Sequence, residues 1–100
     1  MVNIELTGLF GTREAAEDLV ASLGISADLA GIEVVLYCRD MLSGSTSFAD
    51  QLVKTLVVER DAKSLALVGA PERFARHMNE SARRRAVSDR VRQESAAQIA

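Results

Sequence analysis

One hundred residues with 48% apolar side chains, a single proline and a net charge of −2 suit one globular domain around one hydrophobic core, and exclude a chain too polar to fold. No run approaches the roughly 18 apolar residues of a membrane span, and MVNIELTGLF has no basic stretch ahead of its apolar residues, so a strand is expected there and not a secretion signal. The lone cysteine, Cys38, excludes an internal disulfide and any zinc site with several thiolates, leaving a cytoplasmic location as the default expectation.

Val2 to Thr7 alternates, with Ile4 and Leu6 on one side and Asn3, Glu5 and Thr7 on the other, the period of a half-buried strand. Gly8 to Gly11 breaks that pattern and reads as a loop, after which Thr12 is a good N-cap. Ala16, Leu19, Val20 and Leu23 then form one helical stripe, predicting a helix over 12–23 with acidic residues at its favourable N-terminal end. Gly24 closes it in a left-handed conformation, with Ile25 folding back onto Val20.

Ile32 to Arg39 alternates again, setting Ile32, Val34, Leu36 and Cys38 on one face. Met41 to Thr46 reads as a loop of small polar residues. A second helix is expected over 47–58 on the stripe Phe48, Leu52 and Leu56, and a third strand over Ser64 to Val68. Pro71 suits the first position of a third helix over 71–85, whose stripe is Phe74, Met78 and Ala82. Residues 1–86 are expected to form the domain, with 87–100 a helical extension or a disordered tail.

Strand, helix, strand, helix, strand, helix implies right-handed crossovers and a mainly parallel sheet of three or four strands. Polar Asn3, Glu5, Glu33 and Arg39 would be misplaced under a second helical layer, so the expectation is an α/β two-layer sandwich with helices chiefly on one face. Val35, Tyr37, Ala66 and Val68 leave the other face half apolar, which a partner, a second subunit or the tail could cover.

Ligands of parallel sheets gather beyond the carboxyl ends of the strands, where Gly8–Thr12, Met41–Ser47 and Gly69–Pro71 meet. Ser43, Ser45, Thr46 and Ser47 crowd the start of the second helix, and Ser47 with Asp50 fits capping-box spacing. Two readings stand: Ser47 as a plain cap, or Ser43, Ser45, Thr46, Ser47 and Asp50 as a partner-docking or anion-binding edge. No catalytic, cofactor-binding or metal-ligating set stands out. His77 lies in no motif, Cys38 falls on the face expected to be buried, and Gly8-x-x-Gly11 lacks the third glycine of a dinucleotide loop. Residues 1–70 carry five basic residues against ten acidic ones, and 71–100 seven arginines against four carboxylates. Arg83-Arg84-Arg85 is short and has no aromatics for stacking on bases, so a mixed solvated face is expected over a nucleic-acid surface.

Thr12-Arg13-Glu14-Ala15-Ala16, Val34-Val35-Leu36 and Ser43 to Leu52, with Phe48-Ala49-Asp50-Gln51-Leu52 the most specific part, together resemble the bacterial STAS-like domain family of unknown function. That family is related to the sulphate-transporter and anti-sigma-factor-antagonist domains, and the similarity spans residues 3 to 86. The resemblance implies a non-catalytic regulatory module that binds a protein partner, a kinase-like ATPase in the antagonist relatives. There, phosphorylation of a serine at the start of the second helix switches partners, and Ser47 occupies the matching position. The acid and glycine of the relatives' Asp-Ser-Ser-Gly are Ser45 and Phe48 here. The alternative is a small-ligand or nucleotide sensor that uses the Ser43–Ser47 helix start as an anion site.

Overall fold

The structure, a computed structural model, describes residues 1–94. Strand β1 (Val2–Glu5) runs through a bend into a short strand β2 (Gly8–Phe10), followed by helix α1 (Arg13–Ser22). Strand β3 (Glu33–Tyr37) repeats the device by leading into β4 (Met41–Gly44) and helix α2 (Thr46–Leu52). Strand β5 (Ser64–Val68), helix α3 (Glu72–Arg84), a single 3₁₀ turn (Ser88–Arg90) and strand β6 (Val91–Glu94) complete the described chain. Strands β1, β3, β5 and β6 form one parallel sheet in that order, and β2 pairs with β4 in a separate parallel ribbon.

Each crossover advances one strand in the same direction. Crossovers of one hand that all advance the same way must place every helix on one face. Side-chain packing agrees. Ile4, Val34, Leu36, Leu65, Leu67 and Val91 from alternate strand positions join Ala16, Val20, Leu52, Leu56, Phe74, Met78 and Ala82 from the helices in one buried cluster. The expected two-layer α/β sandwich is the observed one.

The helix-free face closes over its own apolar residues. Val35, Ala66 and Val68 are buried with Tyr37 against them. On β6, Arg92 reaches across the sheet, with Nη1 3.6 Å from Glu33 and Nε donating to Glu94 at 2.6 Å. Two short side chains on β5 and one arginine on the neighbouring strand thus do part of what a second helical layer would do.

The expected closure of α1 is present. Thr12 Oγ1 accepts from the Ala15 N–H at 3.0 Å, Gly24 takes φ +63°, and Ile25 N–H donates to Val20 at 3.4 Å. A left-handed residue there reverses the chain with the end carbonyls satisfied, which glycine does without strain.

Five expectations are corrected. Gly8–Phe10 and Met41–Gly44 pair as strands where loops were expected; the alternation signal is lost over segments so short. Leu23, placed on the α1 stripe, is 51% exposed, because the chain is already turning away from the sheet at that C-cap position, and Leu19 is only partly buried. The second helix continues beyond α2 in a wider π-helical segment, Val53–Glu59. Bonding to the fifth residue back keeps positions four and five apart on one side, so Leu52, Leu56 and Val57 are all buried. Pro71 precedes the third helix with an extended ψ of 141° and so is its N-cap. Finally, Val91–Glu94 add a fourth parallel strand where a helical extension or disordered tail was expected, because Val91 meets Leu65 on the core face. The rest of that expectation, over 95–100, lies outside the described residues.

Candidate functional site

The C-terminal ends of the strands carry the candidate edge. After β1 and again after β3 the chain bends and pairs a second time, with Leu6 N–H donating to Tyr37 at 2.9 Å and Gly8 N–H to Asp40 at 3.1 Å. The ribbon is fixed to the core by aromatics. Phe10 stacks on Phe48 with ring centroids 4.6 Å apart, and Phe48 packs against Phe74 at 6.1 Å. With Phe10 turned inward, its neighbour Leu9 points out and is 73% exposed, while Leu42, the extra residue of the bulge between the Gly8 and Leu9 pairings, is 75% exposed.

Ser43, Ser45, Thr46 and Ser47 stand together at this edge. Ser43, Thr46 and Ser47 are exposed and Ser45 is half-buried. The cap, however, is Ser45: its Oγ accepts from the Phe48 N–H at 3.0 Å, and its N–H donates to Phe10 at 2.9 Å. Ser47 already lies inside α2, so the expected capping role of Ser47 is corrected. By helix geometry the N–H groups of Thr46 and Ser47 have no partner within α2.

Asp50, expected in the same set, is not at the surface. One helical turn beyond Ser47 it points inward, only 6% exposed, toward α1 and α3. Arg85 grips it in a fork, Nε to Oδ1 and Nη2 to Oδ2, both at 2.8 Å. Arg13 donates to Oδ2 at 2.8 Å, and Ser81 Oγ to Oδ1 at 2.7 Å. The Arg85 guanidinium, with Ser81 and Arg13, outweighs the cost of burial and holds the Asp50 carboxyl well below its ordinary range. Asp50 is therefore the node that ties three helices together. Arg13, Ser81 and Arg85 escaped the reading of the sequence, although Arg13 and Asp50 sit in two of the stretches that carry the family resemblance.

The other arginines of the C-terminal third are largely paired: Arg76 with Glu72, Arg84 with Glu80, Arg90 with Asp61 and Arg92 with Glu33 and Glu94. Cys38 is fully buried and desolvation pushes its thiol up to about 12, so it stays protonated and inert. His77 is half-buried on α3 with no hydrogen bond among the described residues. Among the described residues no group of His, Cys, Asp or Glu gathers to hold a metal ion, and no helix is long and apolar enough to cross a membrane. No protein-family model, curated protein or solved structure matches the chain.

Proposed function

We propose that this chain is a non-catalytic regulatory module that docks a protein partner at the β2–β4 ribbon and the start of α2. The observation that carries the reading is the pair of outward leucines, Leu9 and Leu42, beside the exposed hydroxyls of Ser43, Thr46 and Ser47. Apolar side chains next to hydrogen-bonding groups are what the centre of a docking surface needs. They project from a ribbon anchored by Phe10, Phe48 and Phe74, so the surface is preorganised. The singly wound parallel sheet is the architecture that the STAS-like resemblance implies, and that resemblance supplies the partner class, a kinase-like ATPase. Ser47 is exposed in the first turn of α2, accessible to a kinase and without a capping duty that phosphorylation would disturb.

Affinity capture from an extract of the source cells, with the parent and Ser47→Asp side by side, tests the proposal. A nucleotide-binding protein held by the parent and lost on Ser47→Asp is the expected result. Equal capture by both variants, also unaffected by Leu42→Asp, would refute it. Incubating the captured complex with ATP and locating any phosphate by mass spectrometry tests the assignment of Ser47.

A further inference from the structure

The ribbon ends on an unpaired side. Along a parallel ladder, alternate residues turn their N–H and C=O groups to opposite edges. Phe10 lies opposite Gly44 and accepts from Ser45 N–H at 2.9 Å, so Ser43 and Ser45 face β2 while Gly44 faces the other way. On that side a groove of about 240 Å³ separates Leu42, Ser43 and Gly44 from Pro71, Arg73 and Phe74 at the start of α3. Gly44 is buried, and its N–H and C=O have no partner off the ribbon among the described residues. Backbone groups withheld from water without a partner carry a cost that an incoming strand would remove.

The groove also states what it would accept. The outward N–H and C=O of Gly44 offer one residue's pair of main-chain bonds to a short extended chain. Gly44 has no room for a side chain on its core-facing side, where an added Cβ would meet the Met41 methyl and lie 2.6 Å from Phe74 Cδ1, so the ribbon lies close against α3. Leu42 supplies the apolar contact. Arg73 is the charged residue lining the groove, and it makes no ion pair among the described residues.

We propose that β4 takes an extended acidic segment of a partner protein as a third strand of the ribbon, with the segment's backbone on Gly44 and a carboxylate on the Arg73 guanidinium. The proposal rests on the reading of this edge as a docking surface and specifies how the partner is held. Main-chain bonds would give the affinity, and the arginine fork would select an acidic side chain over a basic one.

A fluorescein-labelled octapeptide alternating valine and glutamate serves as the probe, titrated against the full chain by anisotropy. Two controls carry methyl groups on alternate backbone nitrogens, or lysine in place of glutamate. Each control, and Arg73→Glu with the original peptide, should weaken binding by about tenfold or more, corresponding to about 1.4 kcal/mol. The Gly44 amide resonance should move on titration. Absence of binding at millimolar peptide, or equal binding by the methylated peptide or by Arg73→Glu, overturns the proposal. A captured partner that responds to Ser47→Asp but not to Arg73→Glu likewise overturns strand addition while leaving the docking reading intact. Indifference to both substitutions overturns the two together.

Discussion

Replacing Asp50 by Asn removes the charge at the junction of α1, α2 and α3 while keeping the side chain's size. Three guanidinium bonds at 2.8 Å and the Ser81 hydroxyl at 2.7 Å converge on the carboxylate. An asparagine NH₂ in place of one oxygen would face arginine N–H groups, donor against donor. Breaking a buried ion pair costs about 3–5 kcal/mol, and the low end applies because Arg13 and Arg85 remain 47% and 29% exposed and can rehydrate. The expected loss is thus about 3 kcal/mol, or a midpoint shift of about 2 M in urea for a slope near 1.5 kcal/mol/M. The pH dependence gives an independent readout. Asp50 is held below its ordinary value of 3.8, so its contribution is fully present above that pH and is lost as pH falls toward the folded-state value. Urea melts from pH 7 to pH 2 should show the parent losing stability below about pH 4, with a shallower acid limb for Asp50→Asn. A loss under about 1 kcal/mol at pH 7, or identical acid limbs, would show that the carboxylate is not the helix-tying node.

Leu52→Ala, at a fully buried position of α2, should cost about 2–5 kcal/mol in the same melts. Ser45→Ala should cost about 1 kcal/mol through the lost cap, whereas Ser47→Ala should stay within about 0.5 kcal/mol; the reverse order would return the cap to Ser47. Ala86 holds φ +59° after α3, with Val87 N–H donating to Ala82 at 2.8 Å, so Ala86→Gly should raise stability by about 0.5–1 kcal/mol. Cys38 should resist thiol reagents in the native state at pH 8 and react once the chain is unfolded in urea, as a labelling time course would reveal.

The layers were legible because polar Asn3, Glu5 and Glu33 alternate with apolar Ile4, Val34 and Leu36, which both marks the strands and restricts the helices to one face. The α1 ends were legible because caps are local chemistry: Thr12 and Gly24 act within three residues of themselves. Pairings between short segments were not. Gly8–Phe10 offers three residues, too few to show a period, and its partner Met41–Gly44 becomes a strand only because β1 and β3 already lie side by side. The Asp50 node was equally hidden, since its partners stand 31 to 37 residues away and arginine on a helix reads as a solvated charge. The four hydroxyl residues were placed at the edge, but the cap was assigned two residues late, because Ser45, Thr46 and Ser47 are each acceptable caps and only the pairing of β4 fixes where the helix begins.

The central claim is that the β2–β4 ribbon is the docking surface. The most direct test measures, by calorimetry, the affinity of the captured partner for the parent and for Leu9→Asp/Leu42→Asp. Both leucines are largely exposed, so the double variant should melt like the parent. Loss of affinity by about 100-fold or more, near 2.7 kcal/mol, is the predicted result. Unchanged affinity in a variant with an unchanged melt would place the interface elsewhere on the domain.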